Sequence, residues 1–318
     1  MIERALNQLW YEKPRWYAWP LLPIAWVYQA ISCIRRYCLT KRQESVSNVP
    51  IIVVGNITVG GVGKTPLVIA MTEHFKQKGY QVGIVSRGYG AKCAQFPHEI
   101  TSKDDAKAVG DEPYLLAQKT GVPVVIAPKR VQAVDKLLQH HKIDLIISDD
   151  GLQHHKMARD IEVVVVDGTR GFGNGFCLPA GPLRESQSRL NQVDLVVMNG
   201  AEAEDTHVMQ FEPGGVMPCP IPEACTVAAF AGIGHPKRFF DTLNSLNIKH
   251  TPYTFDDHHV FKSQDFEVKE DVVLMTEKDY VKCQNFTRKP IYVLPVGAKL
   301  SAAFWDKLEY LLGEYVST

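Results

Sequence analysis

Six consecutive residues, Gly60-Gly61-Val62-Gly63-Lys64-Thr65, have the types and spacing of a phosphate cradle. Glycines let backbone N–H groups turn toward phosphate oxygens, a lysine after them reaches the terminal phosphates, and a threonine hydroxyl suits Mg²⁺. The expected nucleotide-binding run is Thr58, Val59, Gly60, Gly61, Val62, Gly63, Lys64 and Thr65. It departs from G-x-x-x-x-G-K-[ST] at the first position, where Thr58 stands, and is closer to the deviant K-G-G-x-G-K-[ST], whose leading lysine is Val59 here. Further on, Leu145-Ile146-Ile147-Ser148-Asp149-Asp150 is an apolar run ending in two carboxylates. Such a strand delivers an acid to the Mg²⁺ of a P-loop site. Paired aspartates also form turns and cap helices, but with Lys64-Thr65 upstream, Thr65, Asp149 and Asp150 become the candidate metal ligands.

Other residues could act around that centre. Gln153 and His154 follow the two aspartates closely enough to contact substrate or phosphate. Ser86-Arg87-Gly88-Tyr89-Gly90 offers an arginine fork for phosphate and a tyrosine face for a sugar or base. Val109-Gly110-Asp111-Glu112-Pro113 reads as a helix start, with Asp111 at the N-cap and Pro113 in the first turn. Phe255-Asp256-Asp257-His258-His259 allows an oriented acid/base pair, but on the residues alone it reads as a polar loop. The histidine pairs 140–141 and 154–155 lack H-E-x-x-H spacing, which argues against zinc. Thr276-Glu277-Lys278-Asp279 lacks the asparagine and order of N-K-x-D, so guanine specificity does not follow.

The elements that must position these residues are legible from residue 50 onward. Apolar runs at Ile51–Val54, Val82–Val85, Val122–Ile126, Leu145–Ser148, Ile161–Val166 and Leu195–Met198 read as strands, several without alternation, as in a parallel sheet covered on both faces. Helical stretches are expected at Thr65–Lys78, Glu112–Lys119, Arg130–His140 and Glu185–Asn191. The alternation predicts a P-loop NTPase-like, doubly wound, mostly parallel α/β sheet, with ligands at the carboxyl ends of its strands. Acidic, Pro/Gly-rich sequence over 201–225 reads as a linker. A shorter α/β series follows, with strands at Thr226–Phe230, Val272–Met275 and Ile291–Leu294 and a final helix at Ser301–Tyr315. The expected division is therefore 1–43, 44–200, the 201–225 linker, and a smaller α/β unit at 226–318.

With 318 residues, two domains of ordinary size fit. Net charge is zero, and no nucleic-acid motif appears, so no nucleic-acid partner is expected. Nor is an obligate protein partner evident. Seven scattered cysteines without C-x-x-C spacing suit a reducing compartment. Residues 16–31 are rich in tryptophan, tyrosine and aliphatic side chains, but two prolines and Gln29 interrupt them, and Arg35, Arg36, Lys41 and Arg42 follow. A spanning helix needs about 20 predominantly apolar residues. A helix lying in the membrane interface fits better, the alternative being a helix packed on the body of the protein.

Taken in order, the stretches Gly55–Pro66, Ser86–Gly90, Gly110–Pro113, Asp149–His154, Asp167–Gly173 with Gly181–Glu185, Gly232–Pro236, Asp257-His258 and Thr276–Lys282 make the chain resemble the tetraacyldisaccharide 4′-kinase family, the lipid A kinases known as LpxK. Thr58 in place of glycine is itself family-like. The resemblance implies ATP- and Mg²⁺-dependent phosphorylation of the 4′-hydroxyl of a tetraacylated glucosamine disaccharide 1-phosphate, peripheral to the cytoplasmic face of a bacterial inner membrane. It makes Lys64 a catalytic cation, Asp111 the general base and His258 its partner, with Asp149 and Asp150 as metal- or site-organising acids. Arg184 and Glu185, with Gln153 and His154, match further functional positions. Two other readings stand beside it, a P-loop switch or chaperone ATPase or GTPase and a membrane-bound module with a vestigial P-loop. The missing N-K-x-D and leading lysine count against the first, and intact Lys64, Thr65 and Asp149 against the second.

Overall fold

A computed structural model describes residues 2–43, 48–203, 205–257, 259–283 and 289–316. The chain opens with α1 (Ile2–Asn7), a π-helical turn (Gln8–Glu12), a 3₁₀ helix (Arg15–Leu21) and α2 (Leu22–Thr40). There follow β1 (Ile51–Gly55), α3 (Lys64–Gln77), β2 (Val82–Ser86), β3 (His98–Glu99), α4 (Ala106–Val109) and α5 (Asp111–Thr120). Next come β4 (Val124–Ile126), α6 (Arg130–His140), β5 (Leu145–Asp149), β6 (Ile161–Asp167), β7 (Leu195–Asn199) and β8 (His207–Pro213). The remainder is β9 (Val227–Ala231), α7 (Pro236–Ser245), β10 (Thr251–Thr254), β11 (Val272–Thr276), α8 (Glu277–Tyr280), β12 (Ile291–Leu294), β13 (Val296–Leu300) and α9 (Ala302–Val316).

Among the described residues, one sheet has nine strands in the order β13-β8-β7-β6-β1-β5-β2-β4-β3. Its strands pair in parallel except at the two edges, where β3 and β13 run antiparallel to β4 and β8. The Val/Ile runs of β1, β5 and β6 are buried along their whole lengths, because helices cover both faces. On one face Leu67, Met71 and Phe75 of α3 pack with Leu116 of α5 and Phe304, Leu308 and Leu312 of α9. On the other, Ala133, Val134 and Leu137 of α6 pack against Val53, Val85 and Ile146. The doubly wound α/β class expected from the sequence is the observed one. A second, parallel sheet, β10-β9-β11-β12, has its own cores around Phe230, Phe239 and Leu274.

Three expectations need correction. The 201–225 stretch read as a connector contains β8, whose polar and half-buried alternation, with only Met209 fully buried, hides a strand near the sheet edge. The chain's last elements, β13 and α9, leave the second sheet and pack on the first. The helix expected at Glu185–Asn191 is a 3₁₀ turn at Gln187–Gln192. Its middle residue Arg189 is buried against Glu162 of β6 at 2.5 Å, which draws the segment onto the sheet instead of letting it extend.

Candidate active site

β1 ends at Gly55 beneath the loop of the β5 carboxylates, where a β-carbon would lie 2.5 Å from that of Leu152. Residues 57–59 are then tied to the 182–184 segment: Arg184 N donates to Ile57 O at 2.7 Å, Val59 N donates to Pro182 O at 2.9 Å, and Thr58 bridges Leu183. Thr58 thus occupies a strand-like bridge position that a side chain can fill. The glycine needed is Gly63, at φ +100°, immediately before α3, where a side chain would also run into Asn199 and Phe211. Lys64, the first residue of α3, places its ammonium 3.0 Å from Asn56 Oδ1 and 3.2 Å from Asp150 Oδ1. Thr65 follows in the same first turn, half-buried.

The β5 end carries two carboxylates in opposite settings. Asp149 is buried, accepts from Ser86 Oγ at 3.2 Å, and has its Oδ1 without a hydrogen-bond partner. Burial, with the nearby Glu112 and Asp150 carboxylates, pushes its pKa well above the usual carboxylate range, against the pull of Lys64 and Arg130. Asp150 adopts a left-handed backbone at φ 47° and turns its carboxylate to Lys64 and to Arg184, at 3.2 and 3.4 Å. Burial opposes its ionisation, but Lys64 and Arg184 hold its pKa far below the usual range. Arg130 stands behind them, buried, donating to the carbonyls of Ala127 and Asp149 at 3.2 and 2.9 Å. Burial lowers its pKa to about 10, so it stays cationic at neutral pH.

A polar chain leads outward from Asp150. Arg184 donates to Gln153 Oε1 at 3.4 Å, and Gln153 Nε2 donates to Asn56 O at 3.1 Å and to Glu185 at 2.9 Å. Glu185 lies 3.8 Å from Arg36 of α2, and Tyr28 of α2 donates to Arg184 O at 3.2 Å, so the N-terminal helix touches this network directly. His154 sits beside it, and burial together with Arg130 and Arg87 lowers its pKa to about 3. It is a neutral hydrogen-bonding group at physiological pH. Arg87 and Tyr89 are exposed just beyond β2.

Asp111 does not cap its helix. Gly110 is the N-cap at φ +92°, and a β-carbon there would lie 2.6 Å from Tyr89 O, so the chain must turn on a glycine and Asp111 becomes the first helical residue. Its neighbour Glu112 accepts from Lys278 Nζ at 3.0 Å, and Lys278 also reaches Asp257 at 3.4 Å. Burial opposes the charge on Lys278, but Glu112, Asp257 and Asp111 together raise its pKa above the usual lysine value. Glu112 and Lys278 thus join the helix start of the large sheet to the Asp257 loop of the small one. His258, expected to partner Asp111, lies outside the described residues. Sequence reasoning missed Asn56, Arg130 and the Lys278 bridge. Lys278 lay within a stretch weighed for guanine recognition and counted toward the family resemblance, but without a role of its own, and Asn56 carried the one available signal, a polar residue just after an apolar strand.

Three comparisons bear on this geometry. The family model described as tetraacyldisaccharide-1-P 4′-kinase, LpxK, matches residues 17–313. A tetraacyldisaccharide 4′-kinase of Legionella pneumophila strain Corby is 50% identical, covering 95% of each chain, and one of Hahella chejuensis strain KCTC 2396 is 45% identical, covering 97% of this chain and 96% of that one. The crystal structure of the "apo" form of LpxK from Aquifex aeolicus in complex with ATP is similar with a TM-score of 0.76 and 26% identity, over 94% of this chain and 99% of that one. The P-loop, the paired carboxylates of β5 and the polar chain from Asp150 to Glu185 are therefore the parts of a chain that belongs to the tetraacyldisaccharide-1-P 4′-kinase family, LpxK.

Proposed function

We propose that this chain transfers the γ-phosphoryl group of ATP to the 4′-hydroxyl of a tetraacylated glucosamine disaccharide 1-phosphate, giving lipid IVA in lipid A synthesis. The observation that carries the reading is the Lys64 ammonium, held between Asn56 and Asp150 at the head of the P-loop, in a chain of this family. The backbone of residues 58–65 would take the ATP phosphates, and Lys64 would bear on the terminal ones. Mg²⁺, held by Thr65 and Asp149 with Asp150 beside it, would neutralise charge developing on the phosphate oxygens. Support for that assignment is the unpartnered, buried Asp149 Oδ1 in a setting rich in acid. Asp150 is already matched by Lys64 and Arg184.

Phosphoryl transfer passes through a loose transition state, so positioning outweighs deprotonation. Arg184, Gln153 and Glu185 orient the acceptor sugar, neutral His154 offers it a hydrogen bond, and Arg87 and Tyr89 present a phosphate fork and a ring face at the rim. The O4′–P bond forms as the bond from phosphorus to the β,γ-bridging oxygen breaks. The hydroxyl proton passes to the Asp111 carboxylate, with His258 as its partner.

The acceptor's acyl chains would stay in the bilayer. Among the described residues no helix is long and apolar enough to cross a membrane. Instead α2 exposes Ile24, Trp26, Val27, Ile31, Ile34 and Tyr37 along one side, beside exposed Trp16 and Trp19. That side would lie in the cytoplasmic interface of the inner membrane while Tyr28 and Arg36 hold the other side to the acceptor network. The test is transfer of radiolabelled phosphate to the lipid disaccharide in mixed micelles, with lipid-dependent ATP turnover expected. Equal turnover with and without the lipid would overturn the reading in favour of a nucleotide switch.

A further inference from the structure

The flank of the P-loop opposite the β5 carboxylates carries an arginine to which neither the sequence analysis nor the proposed mechanism gives a role. Arg170 sits in the turn after β6, the strand on the other side of β1. The buried Asp167 carboxylate builds that turn, accepting from Thr169 N at 2.9 Å and Arg170 N at 3.2 Å, and Arg238 pins the same carboxylate at 2.9 Å. Two distant segments then hold the Arg170 guanidinium over the P-loop. It lies over the Tyr11 ring, 5.2 Å from the centroid, and its Nη2 donates to Gly234 O at 3.0 Å. Its Nη1 lies 3.8 Å from the point a β-carbon on Gly60 would occupy, over the middle of the P-loop. Gly234 itself abuts the loop, with its own β-carbon position 3.2 Å from Gly61 N.

An always-charged, planar donor over the middle of a P-loop has the placement of a cation that meets a phosphoryl group in flight. Lys64 approaches from the β5 flank, so a guanidinium on the β6 flank would place positive charge on both sides of the transferring group. Building on the kinase reading above, we propose that Arg170 is a transition-state cation supplied in cis, donating from Nη1 to the oxygens of the transferring phosphoryl group. The step itself is unchanged: the O4′–P bond forms, the bond to the bridging oxygen breaks, the proton goes to Asp111, and Arg170 neither gains nor loses one. Because Tyr11 and Gly234 hold the guanidinium, the charge is in place only when the N-terminal segment and the second sheet are docked on the P-loop.

Arg170→Gln and Arg170→Lys separate this role from a structural one. Such arginines are worth roughly 10³–10⁵ in kcat. In variants that melt like the parent, kcat should fall at least about 10³-fold while KM for ATP and the affinity for Mg²⁺–ADP change less than about threefold. The second readout needs no turnover: binding of Mg²⁺–ADP with aluminium fluoride, a mimic of the transferring group, followed by tryptophan fluorescence, should weaken at least about 100-fold. Arg170→Ala should regain part of its kcat with millimolar guanidinium and none with methylammonium. A stable variant with kcat within threefold of the parent would overturn the proposal, as would equal losses of affinity for ADP alone and for its fluoroaluminate complex. If the glutamine variant fails to fold, the lysine variant carries the same criteria. Absence of lipid phosphorylation by the unaltered protein would defeat the kinase reading instead, and is measured separately.

Discussion

The two flanks of the P-loop are assembled in different ways. On the β5 side, Asp149 and Asp150 stand at the end of a strand paired in register with β1, and Asp149 lies opposite Val54. The flank's position follows from the sheet, and Lys64 reaches it from the first turn of α3. On the β6 side, Arg170 meets Gly234 across 64 residues, and near the helix start of α5, Lys278 meets Glu112 across 166. Sheet register sets the first flank before any substrate arrives. The second exists only where separate segments dock, so domain movement acts on it directly, while α2 reaches the first only at its outer edge, through Tyr28 at Arg184 and Arg36 at Glu185.

If that contrast holds, Lys64→Ala should have the largest effect. It removes the cation that balances Asp150 and that is proposed to bear on the terminal phosphates, and transfer should drop below detection while the melting temperature holds, because the ammonium faces polar atoms and not the core. Detectable transfer above about 1% in a folded variant, measured with radiolabelled ATP, would remove Lys64 from the chemistry.

Asp111→Asn should come next, with a loss of roughly 10²–10⁴ in kcat, the usual share of a general base. The stability cost should be small, about 0.3–1 kcal/mol for one carboxylate in a first helical turn. His258→Ala should be defective too, and the double variant should lose less than the product of the single losses if the pair acts as a unit. Multiplicative losses in single-turnover kinetics would separate the two residues.

A smaller and different effect is expected on the membrane side. Replacing exposed Trp26 and Ile31 together by glutamine should weaken binding to anionic vesicles at least about tenfold, since each side chain gives up on the order of 1 kcal/mol or more of apolar burial. kcat in mixed micelles should stay within twofold. Removing residues 1–43 is not equivalent, because it also takes away Tyr11 beneath Arg170 and Tyr28 at Arg184. That truncation should lose activity even on dispersed substrate, and a fully active truncated protein in sedimentation and transfer assays would break the link between the N-terminal segment and the β6 flank.

The smallest effect belongs to Arg36→Gln. Its pair with Glu185 is long and partly exposed, and such pairs contribute about 0–1 kcal/mol. A rise in KM for the lipid of up to about fivefold, with KM for ATP unchanged, is the expected signature in initial-rate measurements.

Much of the first flank was legible in the residues. Short Val/Ile runs alternating with helical stretches specify a parallel sheet, and a parallel sheet puts the ends of its strands on one side, so Lys64, Asp149 and Asp150 could be brought together on paper. The departure at Thr58 had no account until the bridge to Leu183 appeared, since nothing local says that the 182–184 segment lies along the P-loop. Asp111 was placed one position too early because the need for glycine at 110 comes from Tyr89 O, a contact from another loop. The β8 strand was hidden because a strand near a sheet edge need not be apolar.

By itself, then, the sequence determined the glycine-rich loop ahead of α3, the acids opposite it, the doubly wound sheet and the aromatic N-terminal segment, all of which are written in local periodicity and in residue types with few alternative uses. Tertiary structure alone decided that Asp149 is buried among other carboxylates while Asp150 is paired with Lys64 and Arg184, that Arg170 hangs over Gly60, and that Lys278 joins the two sheets. The reason is physical: the charge on a side chain depends on burial and on neighbours brought from far along the chain, and neither is encoded within the few residues that form a motif.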